Sequence, residues 1–236
     1  MSSTDLCGPR PKSRRLTKSN SEEEEGDVFI YEKDIIWDGI FTTKRSMQAK
    51  EIPMTYVFPT ETPQNKLTEL KRTITNIFNY LNIKHGEFNI EAYYNKNDVL
   101  FVIEINVRQG GNQLPNVIED YCGIDFNKLL VSTAVGDLHY LNRLKDMKRS
   151  TKFITRHVVY SHNTGVLTGL YIDSKINKYI YRKKEIIQPG FGVNKSIDAT
   201  KPIAIIDLVF DSREKQLSIS NSLEEYIYPI VEMRKK

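Results

Sequence analysis

Residues 86–111 read GEFNIEAYYNKNDVLFVIEINVRQGG. Two runs rich in apolar and aromatic residues, GEFNIEAYY and VLFVIEINV, flank Asn95-Lys96-Asn97-Asp98, whose turn chemistry predicts a β-hairpin. Strand alternation then places Glu104, Asn106 and Arg108 on one face and Ile103, Ile105 and Val107 on the other. Across the turn, Glu91 falls on the paired strand, where it can lie near Glu104. Carboxylates that close repel each other unless a positive charge sits between them. Mg²⁺ suits the position, because it prefers hard oxygen ligands and completes its shell with water and nucleotide phosphates. Arg108 adds a planar fork suited to a phosphoryl group, and the Gly110-Gly111 backbone can come close to an anion. A strand face with Glu and Arg is, taken alone, more often the solvated side of an antiparallel sheet carrying cross-strand ion pairs. Here the neighbours favour a site: apolar VLFVI leads directly in, a second acid lies on the paired strand, and two glycines follow the arginine.

Working outward, DVFIYEKDIIWDGIF (27–41) predicts an earlier hairpin broken at Glu32-Lys33-Asp34. Pro53, Pro59 and Pro63 punctuate an extended crossing segment. Leu67, Leu70, Ile74, Ile77, Phe78 and Leu81 then recur at the spacing of an amphipathic helix that Pro63 helps to start. After Gly111 two short helices are expected, the first ending near Gly123 and the second running from Asp125 as N-cap to Gly136. Asp137 caps a third that reaches about Lys148. From Phe153 the pattern turns to short strands (FITRHVVYS, GVLTGLYID, KYIYRKKEII, IAIIDLVF), and a closing helix is expected around Ser222 to Val231. Met1 to Gly26 has almost no apolar residues, with scattered basic residues and then the acidic run Glu22 to Glu25, and reads as a solvated, mobile tail.

Composition narrows the function classes. The chain has 236 residues, with 34 Lys+Arg against 30 Asp+Glu, a balance of +4 that is too small and too evenly mixed to argue for nucleic acid. The length allows two cores, or one core with an appendage. Cys7 and Cys122 form no CxxC pair, which excludes a legible zinc site and fits a reducing compartment. No signal peptide and no membrane-spanning stretch can be read, so a cytoplasmic protein without a membrane partner is expected. Cys122, beside a helix-ending glycine, reads as a buried structural thiol, and His157 and His162 show no carboxylate partner in the sequence. Lys44-Arg45 reads more readily as a solvated turn than as an anion site.

At Glu91, Glu104, Asn106 and Arg108 the sequence resembles the ATP-grasp superfamily, ATP-dependent ligases that join a carboxylate to an amine, thiol or carbon nucleophile through an acylphosphate. The resemblance implies Glu91, Glu104 and Asn106 as ligands of Mg²⁺ (or Mn²⁺), with Glu104, Asn106 and Arg108 facing ATP and Arg108 as the catalytic residue that stabilises phosphate and acylphosphate. It also implies Gly110, Gly111, Asn112 and Gln113 as substrate contacts. GGNQLPNVIEDYCGIDFNKLL (110–130) is similar to the family's segment after the arginine. The implied fold is α+β: the antiparallel-sheet part of an ATP-grasp domain over 27–148, followed by a small β-rich C-terminal domain over 149–236. Residues 1–26 would be the tail or a remnant of the glycine-rich-loop lobe, since SRRLTKSNSEEE (13–24) has arginines where that loop has glycines. Most of the nucleotide-clamping lobe is missing from the pattern. The implied partners are therefore small carboxylate and amine substrates and another chain that supplies the lobe. Two alternatives stand beside this truncated ligase: a non-catalytic binding or assembly module that keeps the fold, and, least favoured, a nucleic-acid binder.

Overall fold

A computed structural model of the chain describes residues 23–144 and 150–233. The first hairpin is β1 (Glu23–Tyr31) and β2 (Asp34–Arg45), joined through Glu32 and Lys33, both at positive φ (49° and 73°). That pair of left-handed residues matches the right-handed twist of the flanking strands. β3 (Pro53–Phe58) leads to α1 (Gln64–Tyr80), and the second expected hairpin follows as β4 (Gly86–Tyr94) and β5 (Leu100–Asn106). α2 (Leu114–Cys122), α3 (Phe126–Ala134) and α4 (His139–Arg143) come next. Asp125 caps α3 as expected, accepting the Lys128 N–H at 3.0 Å. The remaining elements are β6 (Phe153–Val159), β7 (Gly165–Ile172), α5 (Ser174–Asn177), β8 (Ile180–Glu185), β9 (Gly192–Val193), β10 (Ala204–Phe210), α6 (Arg213–Ser220), α7 (Leu223–Tyr226) and β11 (Ile227–Glu232).

Eight strands form one antiparallel sheet in the order β5-β4-β1-β2-β3-β6-β10-β8, and β11-β7-β9 form a second sheet of three. The architecture is thus α+β with a large antiparallel sheet. Alternation divides the two faces of the large sheet. Val28, Ile30, Ile40, Phe88, Ile90 and Ala92 face one side, where the Leu67, Leu70, Ile74 and Phe78 stripe of α1 covers them. Phe29, Trp37, Phe41 and Tyr56 face the other, under Leu114, Val117 and Ile118 of α2. That second core also takes in Ile154, Val158 and Ile205, so the boundary expected at residue 149 lies within a continuous sheet and a shared core.

The expected mobile tail falls outside the described residues up to 22. Its end does not: Glu23 to Gly26 open β1, and Glu23 and Glu24 are buried. Each acid there has a neighbour that explains its burial. Arg45 Nε donates to Glu23 at 2.5 Å, and the hydroxyls of Thr60 and Thr62 donate to Glu24. The closing helix expected over Ser222 to Val231 is a correction as well. Only Leu223–Tyr226 is helical, and Ile227–Glu232 is the edge strand β11. Pro229 cannot donate within a helix, whereas an edge strand tolerates it and suits the β-branched Ile227, Ile230 and Val231. Ser212 caps the unanticipated α6 by accepting the Lys215 N–H.

Candidate functional site

The register of β1, β4 and β5 puts polar side chains into rows on the α2 side of the sheet. Glu25 pairs with Glu91, and Glu91 with Glu104, so a carboxylate stands on each of three adjacent strands. The next row on that face is Asp27, Asn89 and Asn106. Side chains directly opposite in such rows have Cβ atoms about 4.5–5.5 Å apart. A register shift between Glu91 and Ala92 brings Glu104 opposite Glu91 while Ala92 pairs with Val102, leaving Ile103 as the extra residue of the bulge. The expected cross-strand neighbourhood of Glu91 and Glu104 is present, and Asn106 lies one row on.

Glu25 feels the crowding most. Loss of water, then the charges of Glu91, Glu23 and Asp27, push its carboxyl up from 4.5 to about 8, against a smaller opposite pull from Arg45. Asp27 is fully buried and burial raises it from 3.8 to about 6, resisted by hydrogen bonds from the Asn89 amide and the Gly110 N–H and by the charge of Arg108. Glu87, one row further on β4, is raised from 4.5 to about 7 by burial, resisted by the Gln109 amide. Carboxyls that are costly to ionise together form a site that gains when a cation enters.

Arg108 lies just beyond β5, which ends at Asn106, so it belongs to the following turn and not to the strand face. Its guanidinium is exposed, and Nη1 donates to the Gln109 carbonyl at 2.8 Å. The turn itself is fastened at several points. The Gly110 N–H donates to Asp27 Oδ1 at 2.7 Å, and Gln109 Nε2 donates to Glu87 Oε2 and Asn127 Oδ1, both at 3.0 Å. An added Cβ at Gly110 would meet Asn89 and both Asp27 carboxylate oxygens at 3.0–3.1 Å, so glycine is needed there for close approach. The anion that the Gly110 amide meets is therefore the chain's own Asp27. Gly111 is open, with nothing within 4 Å of where its Cβ would be.

Asn112 and Gln113 are both left-handed (φ 53° and 59°). The Asn112 amide donates to Tyr56 Oη at 2.8 Å, and both backbone carbonyls accept from Arg156 Nη1. Arg156 is buried to 1% exposure and forks onto Asp207 at 2.6 and 2.7 Å. Asp207 also accepts from Arg182 Nε at 2.5 Å, and Arg182 reaches Asp120 of α2. The strand β6 thus holds the start of α2, and with it the turn after Arg108, through a charge-assisted chain.

Glu25, Asp27, Glu87, Asn89 and Arg156 were not singled out in the sequence. For Glu87 and Asn89 the signal was present, because in GEFNIE they alternate with Phe88 and Ile90 on the face of Glu91. Glu25 and Asp27 alternate in the same way, hidden at the end of an acidic run. Lys44 and Arg45 are in β2 and committed to ion pairs, Lys44 with Glu61 at 2.6 Å and Arg45 with Glu23. Cys122 is buried, its thiol 2.8 Å from the Ile118 carbonyl.

The donor set fits a hard cation. Glu91 and Glu104 are register partners and Asn106 stands one row on, opposite Asn89, so two carboxylates and an amide share one face of the strand pair, the hard oxygen donors that Mg²⁺ takes beside water and phosphate. Among the described residues no group of three or more His, Cys, Asp or Glu side chains is arranged to hold a metal ion. Nor is any described helix long and apolar enough to cross a membrane.

No protein-family model matches the sequence, and no curated protein sequence matches it. Solved structures do. Phosphoribosylglycinamide synthetase from Anaerococcus prevotii superposes with a TM-score of 0.71 at 16% identity, over 89% of this chain and 53% of its own. L-amino acid ligase from Bacillus licheniformis gives 0.73 at 14% identity, over 89% and 54%. Biotin carboxylase from Campylobacter jejuni, solved as a β,γ-ATP complex, gives 0.62 at 15% identity, over 90% and 47%. The chain spans about half the length of these enzymes. At such low identity the likeness carries the fold alone, and with the large antiparallel sheet it leads to one conclusion: the chain has the ATP-grasp fold.

Proposed function

We propose that this chain is the Mg²⁺-bearing part of an ATP-dependent ligase that activates a carboxylate as an acylphosphate and joins it to an amine or thiol. The row Glu25-Glu91-Glu104, with Asn106 in the next row and Arg108 in the turn after β5, carries the reading. Glu91, Glu104 and Asn106 would hold Mg²⁺ or Mn²⁺, and the ion would supply charge neutralisation for the β- and γ-phosphates of ATP. Arg108 needs only to leave its neighbour's carbonyl to meet a phosphoryl group with its planar fork. Phe101 and Ile103, 39% and 45% exposed beside the carboxylates, offer an apolar surface to a flat base, and Phe101 stacks on Tyr93. Asp27, Glu87 and Arg156 fix the turn around Arg108, so that catalysis would rest on positioning and electrostatics, with no side-chain nucleophile.

Among the proposed substrate contacts, Gly111 keeps an open backbone, while Gly110, Asn112 and Gln113 act through the shape they give the turn. The matched enzymes are about twice as long, and we assign the nucleotide-covering lobe either to a continuation of the same polypeptide or to another chain, in a cytoplasmic protein. Calorimetry with Mg-ATP, alone and with candidate lobes, tests the reading. Binding that Glu104→Ala abolishes, with ADP release that needs both a carboxylate and an amine or thiol, is the expected result. Binding indifferent to Glu104→Ala would sink it. Nucleotide binding without ADP release under any substrate pair would instead favour a non-catalytic module.

A further inference from the structure

The end of β6 and the turn after it, the loop between β2 and β3, and β11 enclose a cavity of about 200 Å³. Part of its wall is apolar, with Met54, Val159 and Ile227 all buried. The polar part is Glu224, His162, Gln48 and Asn163. Glu224 is held from two sides. Ser46 Oγ donates to its Oε1 at 2.7 Å, the Met47 N–H donates to Oε2 at 2.6 Å, and His162 Nε2 lies 3.3 Å from Oε1. Burial alone would raise this carboxyl, but the hydrogen bonds from His162, the Met47 N–H and Ser46 hold it below the ordinary 4.5, so it is ionised at neutral pH. Fastening the loop accounts for these bonds and leaves the cavity beside them unexplained.

The chemistry of the wall decides what fits. A carboxylate offers about four acceptor positions, and with three in use one stays open on Oε2 of Glu224. With Nε2–H turned to Glu224, His162 keeps Nδ1 as a further acceptor. Gln48 and Asn163 bond through their backbones among the described residues, which leaves their side-chain amides free. None of the described lining residues is Lys, Arg or Asp, so with the imidazole neutral the charge of the cavity is that of Glu224. Such a wall repels an anion and suits a positive group with several N–H donors. The volume is below the roughly 300–1,000 Å³ of sites for drug-sized ligands, so the molecule is small. We infer that the cavity binds a small primary alkylammonium ion, its charged head on Glu224 and its short chain against Met54, Val159 and Ile227. A free amino acid suits it less, because no cation in the wall meets a second carboxylate. The site is separate from the ligase reading: none of its lining residues lies on β1, β4, β5 or the turn after Arg108.

The test is an NMR titration of the full chain with n-butylammonium, beside butyrate and 1-butanol as probes of the same size, without nucleotide. Saturable shifts at the Met54 and Ile227 methyls and the His162 and Asn163 amides, with butylammonium alone, are the expected result. No saturable shift, or equal shifts with butyrate or butanol, overturns the inference. Shifts confined to Tyr56 and residues 110–113 would put the amine at the ligase site and also overturn it. Glu224→Gln should weaken butylammonium by about tenfold or more, the loss of one charge-assisted hydrogen bond. Because that variant also loosens the loop at Ser46, Asn163→Phe serves as the second: it fills the cavity, leaves every bond of Glu224 in place and should abolish the shifts. Undiminished binding in Asn163→Phe counts against the site. Glu104→Gln should leave butylammonium binding unchanged, so a failure of the ligase reading and a failure of this site are told apart.

Discussion

His157 is fully buried on β6, with Nδ1 2.8 Å from Thr55 Oγ1 and Nε2 without a partner. Burial holds its pKa down at about 4 instead of 6.5. In the unfolded chain the imidazole protonates first, so the stability that comes from keeping it neutral is complete above pH 6.5 and is lost as pH falls through 4. A shift of that size corresponds to about 3 kcal/mol, at about 1.4 kcal/mol per pH unit of displacement. His157→Gln should therefore flatten the acid side of the stability profile, measured as denaturant midpoints of the two proteins from pH 7 to 4. Glu25 works in the opposite sense. Its carboxyl is raised from 4.5 to about 8, so the native state holds its proton longer, and the associated stability is present below pH 4.5 and lost as pH rises through 8. Glu25→Gln should raise the melting temperature at pH 8.5 and leave it nearly unchanged at pH 4. An equal gain at both would mean that Glu25 carries no buried charge. Neither residue advertised this in the sequence: His157 lay in an ordinary strand, and Glu25 looked like one acid in a solvated run.

At the scale of elements, what could be read from the sequence was whatever depends on local periodicity. Both hairpins, α1, and the pair of short helices after Gly111 follow from alternation, three-and-four spacing and cap residues near in sequence. What escaped depends on partners far along the chain. The acid run at Glu23 to Glu25 becomes a central strand because Arg45, Thr60 and Thr62 receive its carboxylates. The turn after Arg108 is set by Arg156, 43 and 44 residues away in the bonds it makes. The same long-range closeness explains Gly39. A Cβ there would lie 2.2 Å from Ile118 Cδ1 and 2.8 Å from its Cγ1, so α2 rests directly on the backbone of β2. Gly39→Ala forces the buried Ile118 to move, an overpacking cost of about 1–3 kcal/mol. Ile118→Val deletes the nearest atom and should recover part of that loss, so the double variant will be more stable than the two single effects added together. Additive losses in a denaturation cycle would show that Ile118 is not what fills the space over Gly39.

For the whole molecule, the question is whether the strands after residue 149 form a unit of their own. Their place in the sheet argues against it. β6 is interior, paired with β3 on one side and β10 on the other, with His157 opposite both Thr55 and Ile206. Cutting the chain between α4 and β6 would strip both β3 and β6 of a neighbour and expose their backbone edges. It would also split one core, since Phe29, Phe41 and Tyr56 share it with Ile154, Val158 and Ile205. The arginine that fixes the turn before α2 comes from the far side of the cut, and its partner Asp207 is buried with it. Two independently stable domains would unfold in two steps; a shared core and sheet should unfold in one. Trp37, the only tryptophan, sits in the shared core and reports the first part by fluorescence. Hydrogen exchange at the β10 amides reports the second. Their denaturant midpoints and slopes should coincide, and a fragment from Ser150 onward should remain unfolded at concentrations where the full chain is native. A folded fragment, or an earlier transition at Trp37 with β10 still protected, would mean that the large sheet closes over two separable bodies.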